Sequence, residues 1–70
     1  MDIRTISIEE IGLSVRSLNA LRRAEVLTVG DMLQYTEESL MQIRNLGRKS
    51  LEEVINKLES MGLSLRNDEE

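Results

Sequence analysis

The sequence has no cysteine, no histidine and no proline among its 70 residues. Without cysteine no disulfide can stabilise the chain, and without histidine as well the usual ligand sets for zinc and iron cannot be assembled. The lack of proline suits helices joined by short turns. These absences argue against metal catalysis, and we expect neither a metal nor another cofactor.

Long apolar runs are missing too. No run approaches the roughly 18 residues of a membrane span, and the start MDIRTISIEE lacks the apolar centre of a signal peptide. We therefore expect a soluble, cytoplasmic protein that makes no membrane contact. Tyr35 is the only aromatic residue, so the core must be built from Leu, Ile, Val and Met. A chain of this length forms one small domain with a modest margin of stability.

The net charge of -4 argues at first sight against nucleic acid as a partner. Its distribution along the chain changes that conclusion. The last three residues are all acidic, and residues 1–67 carry ten acids against nine bases. Between Ile11 and Leu51 there are six bases and four acids, a net charge of +2. The middle of the chain can therefore present a basic face.

Four helices are predicted from start signals and apolar spacing. Ser14, Thr28 and Thr36 are suitable N-caps for the first three. The first helix has an apolar stripe of Val15, Leu18 and Leu21, and the fourth helix, Arg48 to Ser60, has one of Leu51, Val54, Ile55 and Leu58. No stretch alternates with period two as a strand would. The fold class is therefore predicted to be all-α, a compact bundle of four to five short helices.

A polar stripe on the first helix is one candidate binding element. At 100° per residue, Arg16, Asn19, Ala20 and Arg23 lie opposite Leu18 and Leu21. Such a stripe is most often a solvated face, and that interpretation stays open. A small residue beside an arginine and an amide would nevertheless allow close approach to a narrow minor groove, whose negative potential attracts arginine.

The start of the fourth helix is the second candidate. Gly47 is expected to permit a tight hairpin with free backbone amides, followed by Arg48 and Lys49 in the first helical turn. Cations at this end oppose the helix dipole unless an anion offsets them. Glu52 and Glu53 could do so from within the helix, although Lys49 before Glu53 is the weaker order for such a pair. With one glycine and no preceding strand a nucleotide-binding P-loop fits poorly, and a DNA phosphate fits better.

Two runs, LSVRSLNALRRAEVLTVGDML and RNLGRKSLEEVINKLESMGLSL, together resemble the C-terminal domain of the bacterial RNA polymerase alpha subunit. The resemblance covers Ile8 to Leu65. It implies a bundle of short helices after an irregular N-terminal segment, with a helix-hairpin-helix-like unit. It also implies binding to the minor groove of A/T-rich DNA upstream of promoters, contacts with sigma factor and transcription activators, and attachment to the remainder of RNA polymerase.

The resemblance also implies roles for individual residues. The DNA-binding set falls on Arg16, Asn19, Ala20, Gly47, Lys49, Ser50 and Glu53. The sigma-facing surface falls around Glu9, Glu10 and Gly12, and activator-facing positions fall near Thr36, Glu37 and Glu38. Ala20 stands where the family often has cysteine, and Gly12 where some members have an acid.

The expected organisation is a linker over residues 1–7, the helical domain over residues 8–65 and an acidic flexible tail over residues 66–70. The large domain that assembles polymerase does not match any part of the chain, which is therefore an excised domain or a stand-alone relative. The alternative function is a small protein-interaction module resembling a sterile-alpha-motif domain, with no DNA binding. An enzyme is the least favoured interpretation, because no nucleophile and base constellation of Ser, Lys and carboxylates is present.

Overall fold

The computed structural model describes residues 2–68, and within that range the chain forms six short helical segments. Two single turns of 3-10 helix, Ile3–Thr5 and Ile8–Glu10, precede four α-helices. These are α1 (Val15–Arg23), α2 (Val29–Met32), α3 (Glu37–Met41) and α4 (Arg48–Ser60). Residues 2–68 contain no β-strand, only an isolated bridge between Ser7 and Thr28. The all-α prediction is confirmed, with α3, a hairpin and α4 as its helix-hairpin-helix-like unit.

Local hydrogen bonds explain where the first three α-helices begin. Ser14 Oγ accepts from the Ser17 amide. Thr28 forms a capping box with Asp31, and Thr36 forms one with Ser39. Asp31 accepts from the amides of Leu27 and Thr28, and these bonds hold the pKa of its carboxyl below the ordinary value. All three predicted N-caps are confirmed.

The core consists of aliphatic side chains from every α-helix and from the second 3-10 turn. Its fully buried members include Ile8, Leu21, Val29, Met32, Leu40, Val54 and Leu58. The predicted inner face of α4 is confirmed, because Leu51, Val54 and Leu58 are buried and Ile55 packs against them.

The buried face of α1 differs from the apolar stripe predicted from the sequence. Val15 is 73% exposed, whereas Ser17 is 0% exposed and Ala20 is 3% exposed. The buried side of this helix therefore runs through Ser17, Ala20 and Leu21. The polar residue at its centre is explained by hydrogen bonds to α4, which are described below.

The segment that the sequence predicted to be a linker packs onto α2. The Ile8 amide donates to the Leu27 carbonyl at 3.0 Å, and the Val29 amide donates to the Ile6 carbonyl at 2.9 Å. A Cβ on Gly30 would lie only 2.9 Å from the Arg4 carbonyl oxygen, so glycine is what permits this close approach. Residues 3–7 thus belong to the folded unit, and Met1 lies outside the described residues.

The predicted acidic tail is described as far as Asp68. The Arg66 amide donates to the Tyr35 carbonyl at 3.0 Å, and the Arg66 guanidinium pairs with Asp68. Glu69 and Glu70 lie outside the described residues. Of the helices between residues 2 and 68, none combines the length and apolar character that crossing a membrane requires.

Candidate nucleic-acid interface

Arg16 and the start of α4 line the same open groove, although more than thirty residues separate them along the chain. The groove has a volume of about 570 Å³. Its lining consists of Arg16, Met41, Ile43, Asn45, Leu46, Gly47, Arg48, Lys49 and Ser50. We call it the basic groove, because three cations and no acid line it. The fold thus brings both predicted binding elements together.

The start of α4 differs from the other three α-helical starts because it has no side-chain cap. Gly47 is the N-cap residue, and its carbonyl accepts from the Leu51 amide at 3.0 Å. Within residues 2–68 the amides of Arg48, Lys49 and Ser50 have no protein acceptor. Three N–H donors and the positive end of a 13-residue helix therefore face the basic groove. This arrangement is suited to binding an anion.

Neither the backbone conformation nor the packing requires a glycine at position 47. Its φ of -95° and ψ of -174° are extended, and a Cβ placed there would meet no atom within 4 Å. The left-handed residue of the hairpin is Asn45, with φ of 68°, which corrects the expectation that Gly47 makes the tight turn. The missing side chain at position 47 leaves open space over the free amides.

Within residues 2–68, the cations of the basic groove form no ion pair with the protein. Arg16, Arg48 and Lys49 are exposed. The salt bridges found within residues 2–68 lie elsewhere, joining Arg4 to Asp2, Arg22 to Glu9 and Arg66 to Asp68. Lys49 and Glu53, whose pairing the sequence left open, form no salt bridge in that range. The groove offers positive potential to an external anion.

Glu53 turns away from the basic groove and binds the start of α1. One carboxylate oxygen accepts from the Ser14 amide at 2.8 Å, and the other accepts from Ser14 Oγ at 3.0 Å and from Ser17 Oγ. Partial burial raises the pKa of Glu53, but the bonds from Ser17 and Ser14 and the charge of Lys57 outweigh it. The pKa of this carboxyl therefore lies below its usual value.

Two buried serines complete this connection between helices. Ser17 Oγ and Ser50 Oγ are 2.9 Å apart, and the two residues are 0% and 6% exposed. Sequence reasoning missed Ser17, because no spacing rule connects it to Ser50, 33 residues further along the chain. The burial of Ala20 corrects its predicted place beside Arg16 on the outer stripe, since its side chain packs in the core.

The remaining predicted residues lie outside the basic groove. Asn19 is exposed on α1, one turn beyond Arg16. Glu9 and Glu10 are exposed on the second 3-10 turn, where Glu9 approaches Arg22 to 3.3 Å. Gly12 follows with φ of 85°, and a Cβ there would lie 3.1 Å from Lys57 Nζ. The expected sigma-facing residues thus share one edge of the molecule.

The expected activator-facing residues line a second groove. Thr36, Glu37 and Glu38 form the start of α3, and the chain after α4 lies across from them. This groove has a volume of about 800 Å³ and includes the carboxylates of Glu59 and Asp68 as well. It is larger than the basic groove and more acidic.

Comparison with known proteins gives a consistent result. Residues 1–60 match the family of the C-terminal domain of the bacterial RNA polymerase alpha chain. The protein is 64% identical over 63 residues to the DNA-directed RNA polymerase subunit alpha of Carboxydothermus hydrogenoformans, a match over 90% of its own length and 20% of that relative. It is 60% identical over 65 residues to the same subunit of Moorella thermoacetica, covering 93% and 21%. The chain spans about a fifth of the length of these curated relatives.

A solved structure agrees with these sequence matches. The NMR structure of the C-terminal domain of the RNA polymerase alpha subunit from Helicobacter pylori superposes with a TM-score of 0.82 at 32% identity. The match covers 90% of this chain and 55% of that one.

Proposed function

Because the chain belongs to the family of C-terminal domains of the bacterial RNA polymerase alpha chain, we propose that it is a DNA-binding module of the transcription machinery. It binds the minor groove of A/T-rich DNA upstream of promoters. The module itself is non-catalytic and serves a DNA-directed RNA polymerase in the cytoplasm, to which it is joined through the remainder of the alpha subunit.

The observation that supports this proposal best is the meeting of Arg16 with the uncapped start of α4 in one groove. A narrow A/T minor groove has enhanced negative potential, which attracts an unpaired arginine such as Arg16. The free amides of α4 and the Lys49 ammonium suit a neighbouring phosphate. Arg16 thus binds in the minor groove, and the start of α4 binds the phosphate backbone.

The bare N-cap at Gly47 supports the same division of roles. A phosphate can approach the amides of Arg48 to Ser50 only if they are not covered by a side chain, and Gly47 leaves that approach open. Asn19, exposed beside Arg16 on α1, extends the contact along the duplex. A module with so few contacts binds weakly by itself, and tethering to polymerase raises its effective concentration at the promoter.

The protein partners are proposed from the same family relationship. Sigma factor contacts the edge formed by Glu9, Glu10 and Gly12. Transcription activators contact the second groove at Thr36, Glu37 and Glu38. Exposed carboxylates at both places favour basic surfaces on these partners.

A matched pair of arginine variants tests DNA binding. Arg16→Ala removes the cation in the basic groove, and Arg22→Ala removes an exposed cation on the same helix that pairs with Glu9 instead. Titration of an A/T-tract duplex and a G/C duplex at low salt should show roughly tenfold weaker A/T binding for Arg16→Ala. Arg22→Ala should bind nearly as the unmodified chain does.

The melting temperature distinguishes a binding defect from a folding defect. Arg16 is exposed and forms no ion pair within residues 2–68, so Arg16→Ala should melt within a few degrees of the unmodified chain. Equal losses of binding in both variants would contradict a specific role for Arg16. If the unmodified chain binds neither duplex, the basic groove serves an acidic protein partner instead.

A further inference from the structure

We infer that Ser17 is a positioning residue for DNA binding, whose buried hydroxyl fixes Arg16 on α1 relative to Lys49 and the uncapped start of α4. The inference rests on the proposed function and deepens it, because it states how two separate elements are held in one binding geometry. Ser17 itself, at 0% exposure, does not touch the DNA.

One network contains all the long-range side-chain hydrogen bonds found among residues 2–66. Among residues 2–66, four side-chain hydrogen bonds join residues more than four positions apart. All four run from Ser14 or Ser17, at the start of α1, to Ser50 or Glu53 on α4. The side-chain hydrogen bonds between distant parts of residues 2–66 are thus concentrated where the two binding elements meet.

Ser17 is the member that joins both ends of this network. An ionised carboxylate can only accept, so the Ser17 hydroxyl donates to Glu53 and accepts from the Ser50 hydroxyl, 2.9 Å away. Removing the Ser17 oxygen would leave the Ser50 hydroxyl, which is 6% exposed, without its acceptor. It would also take one donor from Glu53. A buried polar group without a partner is costly, so the exposed first turn of α1 would shift to restore one.

Both binding residues are direct neighbours of the anchored serines. Arg16 lies between Ser14 and Ser17, and Lys49 immediately precedes Ser50. Apolar packing gives the first turn of α1 little support, because Ser14, Val15 and Arg16 are all exposed. The hydrogen bonds of Ser14 and Ser17 are therefore what hold this turn, and with it the direction in which Arg16 leaves the helix.

The network also explains why an acidic residue, Glu53, lies near a surface proposed to bind the negatively charged DNA backbone. Glu53 faces the Ser14 amide at the positive end of α1, so the helix dipole offsets its charge. Its carboxylate accepts hydrogen bonds from Ser14 and Ser17 inside the protein and does not face a bound phosphate. Among the DNA-binding residues predicted from the sequence, the side chains of Glu53 and Ser50 thus act on DNA through α1, whereas the Ser50 amide stays free for phosphate.

A double-mutant cycle between Ser17→Ala and Arg16→Ala tests this inference on the 70-residue chain. Ser17→Ala should weaken A/T-duplex binding roughly three- to tenfold, as expected for losing one hydrogen bond from a binding geometry. In the Arg16→Ala background the same change should cause almost no further loss, because the residue being positioned is gone. Equal losses in both backgrounds, or no loss in either, would overturn the inference.

Two controls distinguish a loss of binding from a loss of folding. Ser60→Ala removes an exposed hydroxyl that bonds only the Lys57 carbonyl, and it should bind A/T duplex as the unmodified chain does. Circular dichroism at the titration temperature gives the folded fraction of each variant. If Ser17→Ala does not fold, Ser50→Ala replaces it, since it breaks the same serine pair from α4 and should show the same non-additivity with Arg16→Ala. Additive losses there would overturn the inference.

The unmodified chain separates failure of this inference from failure of the proposed function. If it shows no preference for A/T duplex, both fall together. If it prefers A/T duplex but Ser17 is not coupled to Arg16, only the positioning role is lost.

Discussion

Gly47→Asp should stabilise the protein and at the same time weaken the proposed DNA binding. The N-cap position of α4 has extended backbone angles and free space where a Cβ would stand. An aspartate fits there without strain, and its carboxylate can accept from the free amides of the first helical turn. It would occupy the place proposed for the DNA phosphate.

The size of the stabilisation follows from capping and from the helix dipole. Replacing glycine by aspartate at an N-cap is worth a few tenths of a kcal/mol. A negative charge at the positive end of a helix adds about 0.3–1 kcal/mol, and nearby Arg48 and Lys49 act in the same direction. A total of about 1 kcal/mol corresponds to a rise of roughly 4–8 °C in the melting temperature of a domain of this size.

The binding result should be the reverse. Because phosphate contacts carry no sequence information, affinity for A/T and G/C duplexes should fall together, roughly tenfold or more. Gly47→Asn is the matched control: it caps the helix without charge, so its gain in stability and its loss of binding should both be smaller than for Gly47→Asp. Thermal unfolding and fluorescence anisotropy measure the two effects. A Gly47→Asp variant that binds normally would refute the phosphate site, and one that melts lower would refute the assignment of Gly47 as a free N-cap.

Three further changes test the charge, the core and the Glu53 network. Lys49→Ala should weaken all duplexes alike and reduce the slope of log affinity against log salt by about one unit; selective loss for one sequence would contradict a phosphate contact. In urea titrations, Val54→Ala should lower the free energy of unfolding by about 2 kcal/mol, whereas Val15→Ala, at an exposed position, should change it by no more than about 0.5 kcal/mol. Equal losses would contradict the assignment of Val54 to the core and Val15 to the surface. Because folding lowers the pKa of Glu53, its contribution to stability is present above the ordinary glutamate pKa of about 4.3 and lost as the pH falls through the folded value. The difference in stability between the unmodified chain and Glu53→Gln should therefore narrow from pH 7 to pH 3, and parallel curves would contradict the network.

The parts of the fold that depend on local signals were predictable from the sequence. Thr28 and Thr36 cap helices through residues three positions ahead, and the apolar spacing of α4 is long enough to fix its inner face. The placement of Arg16 and Lys49 on exposed positions followed from the same periodicity. These features depend on neighbours within one or two helical turns.

The features that escaped prediction depend on distant contacts. Ser17 is polar yet buried, and Val15 is apolar yet exposed. A prediction of the inner face of α1 from hydrophobicity alone was therefore rotated about the helix axis. The partners of Glu53 lie 36 and 39 residues away, which no spacing rule connects. The packing of residues 3–7 likewise depends on distant partners, the Val29 amide that donates to the Ile6 carbonyl and the missing side chain of Gly30 beside the Arg4 carbonyl.

Gly30 and Gly47 should have different evolutionary fates. A Cβ at position 30 would lie 2.9 Å from the Arg4 carbonyl oxygen, whereas a Cβ at position 47 would meet no atom of residues 2–68 within 4 Å. Selection for folding should therefore keep the first glycine, and selection for the proposed DNA binding should keep the second. In a gene copy released from promoter recognition, Gly47 should drift toward residues that cap α4 while Gly30 stays unchanged. A copy that has kept both glycines should therefore still show the proposed DNA binding.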